Sequence, residues 1–311
     1  MAEGVRVSVI MPVFNGERFI AEAVGSVLAN SFTDFELVVL DDGSTDGSAD
    51  AAARAAQGDR RVRIVRCAHA GIGATRNAGL ELARGEFIAN LDSDDAMFPN
   101  RLAKQVAYLD RHAECVAVSA RSVVVDEESR PIGMVGRYFT HQDIDRFLLD
   151  GHGGAIGGDS AMLRRDAVRS VGGYAARLAS TGEDHDLWLR LAEIGRLACP
   201  PWVLNRYRVH QRNVSVGKRS RERRLPVTLD TLQRAFERRG IVDRIPAKIP
   251  SPPLRAGEKR RDRALLRYYS GDRRGAAVDA LVLLARHPRT PGMAESLRII
   301  ASGPAPQWPH S

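Results

Sequence analysis

Three carboxylates lie within four residues in the segment Asp92-Ser93-Asp94-Asp95. Carboxylates this close together repel one another unless a cation or strong hydrogen-bond donors are present. A hard divalent ion such as Mg²⁺ or Mn²⁺ prefers oxygen ligands and can bridge carboxylate and phosphate. The alternative is an acidic turn before a helix opened by Pro99, where the helix dipole favours negative charge. The segment alone leaves both interpretations open.

A second acidic turn is formed by Asp41-Asp42-Gly43-Ser44-Thr45-Asp46. Its carboxylates could accept hydrogen bonds from a base or a ribose. The alternative is an ordinary turn in which Ser44 caps the helix that follows and ends near Gly58.

Arg76 follows a glycine-containing segment, residues 71–75, where the backbone can approach a ligand closely. A guanidinium suits phosphate, although a surface arginine after a loop would give the same pattern. The segment is not a dinucleotide fingerprint, because Arg76 stands where a third glycine would be required.

The segment Glu183-Asp184-His185-Asp186 opens a helix that we predict over residues 183–194. A carboxylate here could act as a general base, and His185 is an alternative base. An acidic first turn stabilised by the helix dipole would explain the same residues without a catalytic role. The apolar residues that follow, Leu187 and Trp188 among them, would bury the helix and hold the acid in place.

The elements that must position these groups alternate between strand and helix. Four short apolar runs predict buried strands: residues 5–13, 35–40, 62–66 and 86–91. Helices between them predict an α/β fold, a mostly parallel doubly wound sheet with helices on both faces. The polar segments follow strand ends, where ligands of open α/β sheets bind. Further along, we predict a hairpin of residues 116–125 and 131–135, an active-site loop over 151–158 and a strand region over 197–209.

Length and composition are those of an ordinary soluble protein, with 311 residues, 44% hydrophobic and 27% charged. No apolar run approaches the ~20 residues needed to span a bilayer, and the N-terminus lacks a secretory pattern. Three scattered cysteines, Cys67, Cys115 and Cys199, argue against a disulfide framework. We therefore expect reduced thiols and a cytoplasmic location.

Basic charge is concentrated at the end of the chain. Residues 219–311 hold 20 Lys and Arg against nine Asp and Glu, whereas residues 1–218 carry a net charge of −3. This asymmetry predicts either salt-reversible contact with the anionic inner face of the cell membrane or a helical cap paired with the acidic part. The densest basic group is Arg219, Arg221, Arg223 and Arg224.

Five stretches together resemble the family 2 glycosyltransferases with the GT-A fold. They occur in the family's order, cover roughly residues 5–216, and are residues 7–17, 38–48, 74–79, 85–95 and 182–191. The resemblance implies a GT-A domain made of a nucleotide-sugar-binding half, residues 1–110, and an acceptor and catalytic-base half, residues 111–218. A basic helical extension over residues 219–311 would follow.

The same resemblance assigns roles to individual residues. Asp92 and Asp94 match the family's DxD element, with Asp94 as ligand of Mg²⁺ or Mn²⁺ and Asp92 near the ribose, while Asp95 and His210 are further candidates. Asp184 matches the catalytic base. The donor-binding residues would be Pro12, Phe14, Asn15, Glu17, Asp41, Asp42, Arg76 and Asp92. The acceptor would meet Glu183, Gly158 and Ser160.

The implied reaction is an inverting transfer of a sugar from a nucleotide-diphosphate donor, with UDP-sugars favoured, to a glycan or lipid-linked acceptor. We expect no nucleic-acid partner. The Gln-x-x-Arg-Trp element of processive polysaccharide synthases is absent, which favours a single addition in cell-surface glycan synthesis. Gly172-Gly173-Tyr174 is followed by two alanines where members often carry an acidic pair. The alternatives are a nucleotidyltransferase that forms the sugar nucleotide and a non-catalytic glycan- or sugar-nucleotide-binding protein.

Overall fold

The computed structural model describes residues 4–137, 140–178, 181–213, 218–249 and 253–303, without the side chains of residues 218–223. Within these ranges, the strands are β1 (Val7–Val13), β2 (Phe35–Asp41), β3 (Val62–Arg66), β4 (Phe87–Asn90), β5 (Ala96–Met97), β6 (Cys115–Val118), β7 (Arg121–Val125), β8 (Pro131–Val135), β9 (Met162–Arg164), β10 (Arg196–Ala198) and β11 (Val203–Arg208). The helices are α1 (Glu17–Leu28), α2 (Ser48–Ala56), α3 (Ile72–Leu82), α4 (Arg101–Arg111), α5 (His141–Leu149), α6 (Arg165–Ser170), α7 (Glu183–Leu191), α8 (Lys218–Arg239), α9 (Ala256–Tyr269), α10 (Arg273–Arg286) and α11 (Met293–Ala301). A short 3-10 turn spans Gly153–Ala155.

The larger sheet has the strand order β3-β2-β1-β4-β9-β6-β10. Strands β3, β2, β1 and β4 are parallel neighbours. Strand β9 runs antiparallel between β4 and β6, and β10 pairs in parallel with β6. The predicted mostly parallel sheet is confirmed, with one antiparallel strand inserted.

Alternate residues of the central strands enter two hydrophobic cores, one on each face of this sheet. Ile10 and Val38 lie in one core with residues of α3, α5 and α7. Val9 and Val39 lie in the other with residues of α1, α2 and α4. Because helices cover both faces, the strands are continuous apolar runs, which is why they could be predicted from sequence.

A smaller sheet has the order β5-β11-β7-β8. Strands β7 and β8 pair antiparallel, which confirms the predicted hairpin. The prediction of one strand over residues 116–125 is wrong, because β6 joins the larger sheet and β7 the smaller. The region 197–209 is likewise divided into β10 and β11. Pro200 and Pro201 separate them, since proline has no N–H to donate to a strand ladder.

Helices α2 and α4 begin at other residues than predicted. Helix α2 begins at Ser48, because the hydroxyl of Ser44 instead accepts the backbone N–H of Asn15 at 2.9 Å. Helix α3 begins at Ile72, so Arg76 lies in its second turn. Helix α4 begins at Arg101, two residues after Pro99.

The described part of the chain after residue 218 contains helices α8 to α11 and contacts the preceding residues through ion pairs. Arg239 of α8 lies 2.8 Å from Asp145 of α5, and Arg121 of β7 lies 2.7 Å from Asp262 of α9. Such contacts support the interpretation of this extension as a helical cap on the acidic part of the chain.

The two densest basic groups of the extension differ in what the structure describes. The side chains of Arg219, Arg221 and Arg223 lie outside the described residues. In the second group, which consists of Lys259, Arg260, Arg261 and Arg263, Arg260 and Arg263 both pair with the buried Asp279 of α10. Across the described ranges, no helix combines the length and the apolar composition needed to cross a bilayer.

Candidate active site

The carboxyl ends of β1, β2, β3 and β4 meet at one edge of the larger sheet, because these strands are parallel neighbours. Phe14 follows β1, Asp42 follows β2, His69 lies beyond β3 and Asp92 lies beyond β4. Ligands of open α/β sheets bind in the crevice outside such an edge. The fold therefore brings together polar segments that are far apart in sequence.

The loops after β1 and β2 are bonded to each other through two of the predicted donor-binding residues. The side chain of Asn15 accepts the backbone N–H of Thr45 at 2.8 Å, and Glu17 accepts that of Gly47 at 3.0 Å. Both side chains therefore shape the wall of the crevice and fix the second loop.

The loop after β3 is organised by the carboxylate of Asp42. This buried group accepts the backbone N–H of Ala70 at 2.8 Å and of Gly71 at 3.0 Å. His69, which the sequence analysis did not identify, lies with Nδ1 2.9 Å from Asp42 Oδ2 and stacks on Phe14 with ring centroids 4.3 Å apart. Phe14 itself is 49% exposed. An exposed aromatic ring beside polar groups can stack against a base.

Two other predicted donor-binding residues are integral to the strands. Pro12 is buried in β1 opposite Leu40 of β2. Asp41 ends β2, is buried, and accepts the backbone N–H of Ser44 at 2.9 Å. Two residues after Asp41, Gly43 has a φ of 75°, and a Cβ there would lie 2.9 Å from the backbone nitrogen of His69. The turn after β2 therefore requires glycine.

The three acids after β4 converge on one point. Asp92, Asp94 and Asp95 each offer one carboxylate oxygen, and these oxygens lie within 4.8 Å of one another. Asp95 Oδ1 accepts the backbone N–H of Arg208 at 2.8 Å, whereas Oδ2 is buried and meets no donor in the part of the chain that the structure describes. A buried carboxylate oxygen without a partner is costly unless a proton or cation satisfies it. The three acids therefore fit a hard divalent ion.

The electrostatics of these acids agree with that fit. Burial raises the pKa of Asp92 to about 6, and Asp94 raises it further, whereas Arg76 opposes both effects. The side chain is nevertheless 32% exposed. Burial and the neighbouring Asp94 hold the pKa of Asp95 well above its ordinary value. Such a site favours binding of positive charge.

A late segment of the chain contacts the same acids. His210 Nε2 lies 2.8 Å from Asp94 Oδ2, and Asn213 Nδ2 lies 3.3 Å from the same oxygen. The guanidinium of Arg208 donates to the carbonyl oxygen of Asp94 at 3.0 Å. The segment after β11 thus closes one side of the acidic cluster.

Arg76 joins the acidic cluster to the start of α7. This buried guanidinium donates from Nη2 to Asp92 Oδ1 at 2.8 Å and from Nη1 to Glu183 Oε1 at 2.7 Å. Burial disfavours its charge, but Asp92 and Glu183 outweigh burial and raise its pKa. The ring of Tyr174 lies 5.6 Å from the guanidinium carbon. Arg76 is therefore engaged by two acids on opposite sides of the site.

The side chain of Glu183 is buried inside the protein and is not open to an acceptor. Its side chain is 8% exposed and is paired to Arg76. Burial and the adjacent Asp184 raise its pKa to about 7, more than Arg76 lowers it. The predicted acceptor contact of Glu183 is therefore not supported by its position.

Asp184 lies in the first turn of α7 and borders a cavity. Its Oδ1 accepts the backbone N–H of His185 at 2.7 Å. A Cβ added to Gly158 would lie 3.3 Å from Asp184 Oδ2. The glycine loop, residues 151–158, therefore lies directly against the carboxylate. His185, the alternative base, is buried with Nε2 2.8 Å from the carbonyl oxygen of Leu148. Both candidates line the cavity, but His185 is buried whereas Asp184 is partly exposed.

Ser160, predicted to meet the acceptor, is fully buried. Its hydroxyl donates to the carbonyl oxygen of Ala120 at 3.0 Å and lies 2.9 Å from the hydroxyl of Ser119. The local sequence could not reveal this, because burial of the hydroxyl depends on the distant strand β6 and the residues after it. Ser160 supports the loop from inside.

Arg101, a buried cation that the sequence analysis missed, holds together two segments beneath the acidic cluster. Arg101 at the start of α4 is fully buried and donates to the carbonyl oxygens of Asn90 at 2.7 Å and Ala161 at 3.1 Å. These contacts tie β4, whose end carries the acidic cluster, to the start of β9. A helix-terminal arginine gives no sequence signal for such a role.

The cavity beside Asp184 has a volume of about 390 Å³. Its wall combines the glycine loop, the start of α7, the segment after β8 and part of the extension. Arg76 contacts both Asp92 of the acidic cluster and Glu183. Glu183 is next in sequence to Asp184, which borders the cavity, so the cluster and the cavity are connected through these residues. Such an arrangement can hold a phosphate-bearing ligand on one side of a carboxylate and a second ligand on the other.

Residues 8–172 match the family model described as glycosyl transferase family 2. The chain belongs to this family. The match covers β1 from its second residue, β2 to β4, the acidic cluster and the loop of residues 151–158.

Relatives outside the family model agree. This family 2 glycosyltransferase is 35% identical over 198 residues to the putative glycosyltransferase EpsE of Bacillus subtilis. The aligned region covers 63% of this chain and 69% of EpsE. It is also 27% identical over 220 residues to an uncharacterized glycosyltransferase of Haemophilus influenzae, covering 67% of each chain.

Solved structures show that this glycosyltransferase has the GT-A fold. TarS of S. aureus, in complex with UDP-GlcNAc, is similar with a TM-score of 0.61 and 19% identity over 95% of this chain and 80% of that one. The mannosyltransferase PcManGT of Pyrobaculum calidifontis, in complex with GDP-Man and Mn²⁺, is similar with a TM-score of 0.56 and 21% identity over 97% and 81%.

Proposed function

We propose that the protein transfers a sugar from a nucleotide-diphosphate donor to a hydroxyl acceptor with inversion at the anomeric carbon. The observation that carries this proposal is the direct linkage of the acidic cluster to the start of α7 through Arg76, with contacts of 2.8 and 2.7 Å. The linkage would hold a donor-side cluster close to the candidate base, Asp184, which follows Glu183 in sequence. Alignment of two substrates and a base is a large part of such catalysis.

The donor half of the proposal uses the edge formed by β1 to β4. Phe14 would stack against the base, with the nearby acids Asp41 and Asp42 bordering the nucleoside. Asp92 would lie near the ribose, held there by Arg76. We favour a UDP-sugar. The similar structures were solved with UDP-GlcNAc and with GDP-Man and support a nucleotide-sugar donor without deciding the base.

The metal proposal rests on the acidic cluster. Asp94 and Asp92 would hold Mg²⁺ or Mn²⁺, and Asp95 and His210 lie close enough to assist. When bound, such an ion would neutralise the charge that gathers on the nucleoside-diphosphate leaving group. Asn213 would hold Asp94 in position through its amide, which lies 3.3 Å from that carboxylate.

The acceptor half uses Asp184 as general base. Its carboxylate would accept the proton of the acceptor hydroxyl as that oxygen attacks the anomeric carbon, and the nucleoside diphosphate would depart from the opposite face. Gly158 would leave room for the acceptor, since any side chain there approaches Asp184 Oδ2. Arg76 keeps the start of α7 at a fixed distance from the donor side.

We further propose a single addition per binding event, in cell-surface glycan synthesis on the cytoplasmic side of the membrane. The similarity to EpsE, a putative glycosyltransferase, supports the transfer of a sugar and not this finer role. The extension would act as a helical cap. Salt-reversible contact with anionic lipid through Arg219 and its neighbours is the competing proposal, which co-sedimentation with anionic and neutral vesicles would decide.

A panel of UDP- and GDP-sugars, assayed for released nucleoside diphosphate, tests the proposal. The wild-type protein should release product with one donor class, and EDTA or Asp94→Asn should lower the rate at least ~100-fold. Asp184→Asn should retain donor binding in isothermal titration and lose transfer. Full activity in EDTA would refute the metal proposal, and binding without turnover in the wild type would indicate a non-catalytic protein.

A further inference from the structure

The cavity beside Asp184 is lined by cations from three separate parts of the chain. Arg137 comes from the segment after β8, Arg224 from α8 and Lys248 from the segment after α8. Among the described residues that line this cavity, Asp184 is the only one with an acidic side chain. The lining therefore has an excess of positive charge next to the candidate base.

The effect of these cations is visible at His152, which also lines the cavity. Burial lowers the pKa of this imidazole, and the charges of Lys248 and Arg137 lower it further. The field of the two cations thus reaches the glycine loop, on the wall that faces Asp184. A cleft lined by one sign of charge attracts ligands of the opposite sign.

The extension holds its cations in place through specific contacts. Arg244 pairs with Asp150, and the backbone N–H of Ile249 donates to the carbonyl oxygen of Asp150 at 2.9 Å. A Cβ added to Gly151, whose φ is 83°, would lie 3.1 Å from Lys248 Cα. Lys248 is therefore packed against the glycine loop. The extension builds one wall of the cavity.

We propose that this cavity binds an acceptor that carries a phosphate or carboxylate group close to the hydroxyl that receives the sugar. The inference rests on the proposed function, since it takes Asp184 as the base. Arg and Lys suit these anions because they donate charge-assisted hydrogen bonds. A neutral acceptor lacks the negative charge that a lining of this sign attracts. The extension would then take part in choosing the acceptor.

Binding of three small probes tests this proposal without turnover. A neutral hexose, its 6-phosphate and the corresponding uronate are titrated calorimetrically into the full chain in EDTA. One or both anionic probes should bind at least about tenfold more tightly than the neutral hexose, the size of one charge-assisted hydrogen bond. The two anionic arms separate a phosphate acceptor from a carboxylate acceptor.

Variants locate the binding to the cavity. Lys248→Gln and Arg224→Gln should each reduce the preference for the anion about tenfold, whereas Arg274→Gln, on the exposed start of α10, should leave it unchanged. Equal or absent binding of all three probes would overturn the proposal. So would an anion preference that survives both cavity variants, because the anion would then occupy the donor side. Release of nucleoside diphosphate from donor is measured separately, and its absence in the wild type counts against the proposed function alone.

Discussion

Replacement of Arg76 by methionine tests whether one buried guanidinium holds the two sides of the site together. The side chain is 5% exposed and pairs with Glu183, which is 8% exposed, and with Asp92. Removal of one partner from a buried ion pair costs about 3–5 kcal/mol, because the remaining charge loses its compensation. For a chain of this length, we expect Arg76→Met to lower Tm by about 5–8 °C at pH 8.

The loss should depend on pH. With Arg76 present, the pKa values are about 7 for Glu183 and about 6 for Asp92, both above their ordinary values. Without Arg76 both rise further, so the folded variant takes up protons that the unfolded chain does not hold. Its stability relative to wild type should therefore be nearly retained at pH 5.5 and decrease as the pH rises to 8.

Thermal unfolding by circular dichroism in EDTA, at pH 5.5 and 8, measures both effects. Arg76→Met/Glu183→Gln should recover part of the loss at pH 8, because one uncompensated carboxylate is gone. Arg169→Met is the matched control, since Arg169 pairs with Glu81 at the surface and such pairs contribute less than about 1 kcal/mol. Equal Tm changes for Arg76→Met and Arg169→Met at pH 8, or a loss independent of pH, would refute the reasoning.

Three further substitutions test separate parts of the site. Glu183→Gln resembles the protonated acid, so the free energy of unfolding of this variant relative to wild type should increase by about 3 kcal/mol from pH 4.5 to 8. Urea unfolding measures this difference. A decrease over the same pH range would show that the pairing with Arg76 outweighs burial. Gly158→Ala brings a methyl group to 3.3 Å from Asp184 Oδ2 and should lower kcat, whereas Gly25→Ala in α1 meets open space and should not, so equal rates would contradict a role for the loop. Phe14→Ala should weaken donor binding roughly 5- to 100-fold in isothermal titration, as expected for loss of one stacked base, and unchanged affinity would place the base elsewhere.

The sequence by itself determined the parallel half of the fold. Strands β1, β2 and β4 are buried on both faces, so local apolar runs were sufficient to predict them, whereas the predicted strand β3 lies at the sheet edge and is only partly buried. The acidic residues after β2 and β4 could be recognised for a related reason. They follow strand ends directly, and a parallel sheet brings such ends to one edge whatever the rest of the chain does.

Only the tertiary structure decided how those residues are used. Ser160 and Glu183 were predicted to meet the acceptor, yet one is buried against Ala120 and the other pairs with Arg76 from a distant helix. The division of residues 116–125 between two sheets was also invisible, because strand pairing depends on partners remote in sequence.

The cavity beside Asp184 shows the same limit most clearly. Arg137, Arg224 and Lys248 come from three segments without a shared pattern, and packing of the extension against the glycine loop brings them together. Local sequence specifies which side chains can carry charge and which strands are buried. Long-range packing specifies which charges face one another, because that depends on contacts between segments that carry no mutual signal along the chain.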